Sequence, residues 1–327
     1  MRAVLVKKLS DKVKLEINEI PLPEPLDHEV RLAVKCIGVN RPDILQKNGL
    51  YPPPKGSCPR LGLEASGIIE KIGRKVRGFK VGDTVCGLTP GGAYAEFVTL
   101  PFQNCAPIPK GMSFSKAAGI PEIFMTAWVN LFEHGRLQNG EKILIHGGSS
   151  GVGSAAIQLA NWKKTFILTT VKNKKKADFC QKLGAHHSII YTKKDFEEDI
   201  LNLTENKGVD LILDMVGGEY INKNLKCLSH AGRLVQIAFL NGSSSNINLM
   251  RLMLKQLTIT GSTLRSRSII EKARILNLLK KNIWPEFESG KIDIKIFQEF
   301  NLEDVEKAHK IMENSDHLGK LVLVVNE

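Results

Sequence analysis

The stretch Lys142-Ile143-Leu144-Ile145-His146-Gly147-Gly148-Ser149-Ser150-Gly151-Val152-Gly153 decides the fold of this chain. Its first five residues form a short apolar run with the length of a buried strand. Glycine then crowds the chain, and from Gly151 the apolar spacing is helical to residue 162. A strand that feeds a glycine turn at the start of a helix makes an anion site. The first N–H groups of the helix lack intrahelical partners, and the helix dipole is positive there. The spacing is G-x-x-G-x-G, with Ser150 where the strict dinucleotide pattern has its second glycine. In this reading Gly148 permits a tight turn, Gly151 lets backbone approach a pyrophosphate, and Gly153 lets the helix pack closely on the strand. Gly148, Ser149, Ser150, Gly151, Val152 and Gly153 are the candidate dinucleotide-binding residues.

Downstream, strand patterns over 165–171, 188–191, 209–216, 232–239 and 257–261 alternate with helical patterns over 174–183, 195–205 and 220–228. Near-continuous apolar strands separated by helices imply a parallel sheet covered on both faces, the doubly wound Rossmann plan. Sites for NAD carry an acid at the end of the second strand to hold the ribose 2′-hydroxyl. Here that strand ends Leu168-Thr169-Thr170-Val171-Lys172 and continues Asn173-Lys174-Lys175-Lys176. A 2′-phosphate is repelled by carboxylate and held by ammonium groups, so the expected cofactor is NADPH. One phosphate cannot engage all four lysines of 172–176, and which one holds it stays open.

Upstream, short strand patterns over 2–6, 30–39, 65–72 and 84–87 are broken by turns at Pro21-Leu22-Pro23-Glu24-Pro25, Tyr51-Pro52-Pro53-Pro54, Gly82-Asp83 and Pro90-Gly91-Gly92. That pattern predicts an irregular β-barrel. Helical spacing sets in over 113–132. After Arg265 we expect a long helix over 269–283 stopped by Trp284-Pro285, a short helix over 302–313, and a strand over 319–325. An isolated last strand needs a sheet, so it is expected to return to the first domain. The fold class is α/β: a discontinuous β-barrel domain of residues 1–120 and 265–327, and a Rossmann domain of residues 121–264.

The 327 residues carry a net charge of +12, mostly lysine dispersed along the chain, which reads as a solvated surface. Aromatic residues are not interleaved with the basic ones, so no nucleic-acid partner is expected. The N-terminal apolar run is shorter than a secretory signal, and no apolar stretch is long enough to cross a bilayer. A cytoplasmic protein with no membrane partner is the expectation. The six cysteines include no C-x-x-C pair and read as reduced thiols.

Several segments resemble the medium-chain dehydrogenase/reductase superfamily, in its zinc-free quinone oxidoreductase (zeta-crystallin-like) branch. They are Gly38-Val39-Asn40-Arg41-Pro42-Asp43, Leu61-Gly62-Leu63-Glu64-Ala65-Ser66-Gly67, Val81-Gly82-Asp83-Thr84-Val85, Gly91-Gly92-Ala93-Tyr94-Ala95-Glu96, the glycine turn, and Thr263-Leu264-Arg265-Ser266-Arg267. Gly49-Leu50-Tyr51-Pro52-Pro53, Ile120-Pro121-Glu122 and Leu213-Asp214-Met215-Val216-Gly217-Gly218 are similar to its tumour-suppressor-inducible subgroup. The resemblance makes the β-barrel GroES-like. Zinc-dependent relatives have Cys where Asn40 stands and His where Leu63 stands, and the four-cysteine lobe is absent, so no metal is expected.

Without a metal the cofactor carries the chemistry, and the acceptor must already be activated. The resemblance implies an NADPH-dependent quinone oxidoreductase whose substrate sits between the two domains. A reductase of enals, enones or enoyl thioesters is the alternative, and a structural or RNA-binding protein of the zeta-crystallin type is a second. It implies catalytic roles for Tyr51, Asn40 and Thr126, with Tyr51 serving either chemistry or binding. It adds Asn173, Lys176, Tyr191 and Arg265 to the cofactor set and implies a homodimer, for which the edge strand 257–261 is suited. Gly217 joins that set from its place at the end of the fourth strand, the carboxyl edge where such sheets bind ligands, and Glu64 and Glu122 are assigned structural roles.

Overall fold

The computed structural model describes residues 1–8 and 13–326. Fifteen strands follow one another along the described residues: β1 Arg2–Lys8, β2 Val13–Glu19, β3 Glu29–Val39, β4 Glu64–Ile72, β5 Thr84–Leu88, β6 Phe97–Pro101, β7 Cys105–Pro107, β8 Lys142–His146, β9 Phe166–Val171, β10 His187–Ile190, β11 Val209–Asp214, β12 Leu228–Gln236, β13 Thr258–Gly261, β14 Ile296–Asn301 and β15 Lys320–Val324. They divide into two compact units, one of Met1–Met125 with Leu264–Glu327, the other of Thr126–Thr263.

In the first unit a seven-stranded sheet runs β14-β15-β3-β4-β5-β7, with β6 also on β3. β3 is long enough to pair with three neighbours at once, which curls the sheet around a core containing Val30, Leu32, Ile37, Leu61, Ile69, Leu100 and Leu321. The last strand, β15, lies antiparallel to β3 with Leu321 opposite Val39. Gly319, at φ 77°, turns the chain into it. The expected stop at Trp284-Pro285 is present. Helix Ile269–Asn282 ends there, but a second short helix, Trp284–Glu288, begins with proline in its first turn. A first-turn residue needs no N–H bond, so proline opens a helix as readily as it ends one.

In the second unit six strands form one parallel sheet in the order β10-β9-β8-β11-β12-β13. Numbered from β8, that is the 3-2-1-4-5-6 order of a doubly wound sheet, with its switch point between β8 and β11. Ile143, Leu144, Ile145, Leu211, Ile212 and Leu213 on these two central strands are wholly buried. β12 starts at Leu228, four residues ahead of the expected strand, and a register shift lies between Val209 and Leu211 on its partner. Ala231 takes φ 57° there, a conformation that apolar spacing does not announce.

Candidate functional site

The switch point places the glycine turn at the carboxyl end of β8, beside the end of β11. The left-handed residue of the turn is Gly147, at φ 64°. Gly148 is required for space: a Cβ there would lie 2.9 Å from the Thr169 Cβ and 3.1 Å from the Cys180 Sγ. Gly153 is required for the same reason, since its Cβ would run into the Gly147 carbonyl. Ser150 caps helix Gly151–Trp162 by accepting from the Gly153 N–H at 3.0 Å, and its own N–H closes the turn on Gly147 O at 2.9 Å. The N–H groups of Gly151 and Val152 are left at the helix start, where a phosphate would be met. The residues present therefore fit a dinucleotide pyrophosphate.

Beneath the turn lies a buried polar chain. Asp214 accepts from the N–H groups of Val216 (2.6 Å) and Gly217 (3.3 Å) and from Asn224 Nδ2 (3.0 Å). Asn224 then presents Oδ1 to His146 Nε2 at 2.7 Å, and His146 Nδ1 meets Thr170 Oγ1 at 2.9 Å. With its amide hydrogens spent on Asp214, Asn224 must accept, so the His146 proton sits on Nε2. Burial keeps that imidazole neutral by pushing its pKa down, against the opposing pull of Asp214. The chain ties the ends of β8, β9 and β11 together and shapes the turn at Gly217, which takes φ 69°. Its Asn224 and His146 anchors were missed in the sequence; a histidine ending an apolar strand was the available signal.

At the end of β9, Asn173 caps helix Lys174–Lys182 by accepting from the Lys176 N–H at 3.1 Å. Lys174 turns to Asp178 at 2.7 Å, one helical turn on. Lys176 is half-buried and acts electrostatically on the Cys180 thiol, which lies against the glycine turn. Tyr191 opens a groove of about 430 Å³ with Lys193, Lys194, Tyr220 and Lys223 on its walls. Thr126 is half-buried, and its carbonyl accepts from Asn130 Nδ2 at 2.8 Å. Asn130, buried and missed in the sequence, also accepts from Ser262 at 2.7 Å.

The first unit holds the other residues. Asn40 spends its whole amide within the fold, donating to Gly38 O (3.2 Å) and Glu64 Oε1 (2.8 Å) and accepting from Lys320 Nζ (2.6 Å). Lys320 and Glu64 form a buried ion pair at 2.7 Å. Nearby, Asp43 accepts from the N–H groups of Asn40 and Gly62 and from Tyr94 Oη, which also meets His309 Nε2 at 3.1 Å. Burial pushes Asp43 up to about 6. Glu122 is pushed up to about 7, first by burial and then by the charge of Glu64. Tyr51 lies over the Arg265 guanidinium, 5.6 Å from ring centroid to Cζ. Leu63 is buried apolar packing, and no group of three or more His, Cys, Asp or Glu among the described residues is placed to hold a metal ion.

Residues 26–110 match the profile of the alcohol dehydrogenase GroES-like domain, and residues 151–281 that of the zinc-binding dehydrogenase domain. The quinone oxidoreductase of Mus musculus is 31% identical over 330 residues, covering 99% of this chain and 98% of that protein. The chain belongs to the medium-chain dehydrogenase/reductase family. A crystal structure of Escherichia coli quinone oxidoreductase complexed with NADPH superposes with a TM-score of 0.88 at 30% identity, over 99% of both chains. The CurK enoyl reductase does so at 0.85 and 28%, again over 99% of both. Highly-reducing polyketide synthase 1 of Aureobasidium melanogenum is 32% identical over 309 residues, which is 92% of this chain and only 14% of that much longer protein. The zinc-binding dehydrogenase profile matches residues 151–281, and Asn40 and Leu63 lie outside that range.

Proposed function

We propose that this protein is an NADPH-dependent quinone reductase that works without a metal. The observation that carries the reading is the Ser150-capped glycine turn with an acid-free, basic strand end beside it. Gly148, Ser149, Ser150, Gly151, Val152, Gly153 and Gly217 would hold the pyrophosphate. Asn173, Lys176 and Tyr191 would hold the adenosine end. Among the lysines, Lys176 is the best placed for the 2′-phosphate, because it is half-buried near the Cys180 thiol that lies against the glycine turn, whereas Lys172, Lys174 and Lys175 are exposed. When bound, NADPH supplies hydride.

The remaining tasks fall to Tyr51 and Thr126, which would orient the acceptor. Asn40 has a different part. All its polar atoms are committed inward, so it acts as a positioning residue that locks the Glu64–Lys320 pair beneath the site. The reading is tested by following NADPH oxidation with ortho- and para-quinones in the presence of a chelator, together with Kd values for NADPH and NADH. Absence of turnover with any quinone would discard the acceptor, and a preference for NADH would discard the cofactor.

A second reading, reduction of activated C=C bonds, is favoured by the likeness to CurK enoyl reductase and to a highly-reducing polyketide synthase. Comparing kcat/KM for enals and enoyl thioesters against quinones decides between the two.

A further inference from the structure

Arg265 is 5% exposed, and its guanidinium is held from one side only. Nε and Nη2 both donate to the Pro90 carbonyl, at 2.9 and 2.6 Å. Its backbone is held too, since Lys272 Nζ donates to the Arg265 carbonyl at 2.7 Å. The third nitrogen, Nη1, is buried and has no hydrogen-bond partner among the described residues. A buried donor on a charged group without a partner costs more than an ordinary lost hydrogen bond, so its survival calls for a function. The charge balance points the same way. Arg265 and Lys272 are two buried cations, while their acidic neighbours Glu122 and Asp43 act on Arg265 through space and form no ion pair with it. Lys320 by contrast has its own carboxylate. Arg265 has no carboxylate hydrogen-bonded to it among the described residues.

Above the guanidinium lies the Tyr51 ring. Its segment is bounded by Gly49 at φ 77° and Gly56 at φ 80°, and nothing stands within 4 Å of a Cβ at either glycine. Leu50 next to it is 73% exposed. An aromatic face over a guanidinium attracts the charge but accepts no hydrogen bond of ordinary strength from Nη1, so the donor stays unsatisfied beneath it. A charge-assisted hydrogen bond to an anionic oxygen is stronger. The ring is therefore a cover that such a ligand can displace.

We infer that Arg265 reserves Nη1 for an anionic oxygen of the bound substrate, and that the Tyr51 ring shields this donor until the substrate arrives. The inference rests on the quinone-reductase reading, in which the acceptor oxygen becomes a phenolate as it is reduced. It moves Arg265 from the cofactor set, where the family resemblance puts it, to the substrate's. A cofactor phosphate is the other source of anionic oxygen, and the test separates the two.

The probe is 4-nitrophenol, whose phenolate is coloured, bound to the full chain with and without NADPH. Wild-type protein is expected to shift the bound probe toward phenolate. Arg265→Gln should weaken phenolate binding at least tenfold while NADPH binding, read by fluorescence, changes less than twofold. Arg265→Lys, which keeps the charge and the Pro90 bond, should fall between them and guards against loss of fold in the glutamine variant. Tyr51→Ala should speed probe association without loss of the phenolate preference. The inference is overturned if Arg265→Gln binds phenolate as the wild type does, or if it loses NADPH instead. Failure of the wild type to bind NADPH would strike the functional reading and leave the phenolate measurement to stand alone.

Discussion

Glu122 shows how one buried side chain sets a pH dependence. Burial and the Glu64 charge push its pKa up to about 7, opposed by Lys320 and Lys272 and assisted by Asp43. A carboxyl whose folded pKa is raised binds its proton more tightly in the fold than in the unfolded chain. Its contribution is therefore full below the usual carboxylate range and is lost as pH rises through about 7. At about 1.4 kcal/mol per pH unit, the rise from 4.5 to about 7 makes the loss for Glu122 on the order of 3 kcal/mol. Glu122→Gln keeps the neutral form at every pH. Urea unfolding of the variant should match wild type near pH 5 and exceed it at pH 8; an equal difference at both pH values would show that Glu122 is not the titrating group. At the same scale, Lys176→Ala should weaken NADPH about tenfold, the worth of one charge-assisted bond, and leave NADH unchanged. Lys174→Ala should leave the affinity for both nucleotides nearly unchanged, because that side chain is solvent-exposed and turned to Asp178. Isothermal titration with both nucleotides reads this directly.

Among the elements, the helix behind the glycine turn depends on its first residues. Removing its cap by Ser150→Ala should cost about 1 kcal/mol. Gly153→Ala should cost more and abolish nucleotide binding, because the new methyl meets backbone at Gly147 and Gly148 and not a movable side chain. Thermal unfolding with and without NADPH separates the two effects. This turn was legible because pattern and structure coincide: β8 and helix Gly151–Trp162 fall where the apolar period changes. Other elements were illegible for identifiable reasons. β2, Val-Lys-Leu-Glu-Ile-Asn-Glu, alternates apolar and polar residues but pairs with β1 alone, away from the main sheet. β14 is largely exposed and is drawn into the sheet only by β15, a long-range pairing that local sequence cannot record. The site divides in the same way. Contiguous residues of the turn were readable, whereas the Lys320–Glu64–Asn40 cluster joins residues far apart in the chain. Its one clue was an acid, Glu64, inside an apolar run, which demands a buried cation somewhere. Lys320→Met strands that acid and should cost roughly 3–5 kcal/mol.

For the whole molecule the open question is association. β13 pairs with β12 along one edge, and its other edge carries no strand among the described residues. Next to it in sequence, helix Leu249–Leu254 buries none of its residues and exposes Leu249, Met250, Met253 and Leu254, while Ile259 on β13 is 38% exposed. A helix so apolar and so exposed is unstable in water unless something covers it. The proposal is a second copy of this chain, related by a two-fold axis and pairing β13 with β13, which would satisfy the strand edge and the helix together. Net charge makes a distinguishing signature available. Two copies at +12 repel each other, so an interface held by apolar area should tighten as salt screens that repulsion, whereas one held by ion pairs should loosen. Light scattering is expected to give a dimer whose dissociation constant falls with added salt. Met253→Asp with Ile259→Lys should yield monomers that still bind NADPH, because neither residue belongs to the glycine turn or to the Lys176 strand end. A wild-type monomer at micromolar concentration in high salt would remove the proposal and leave the exposed helix to be covered by some other partner.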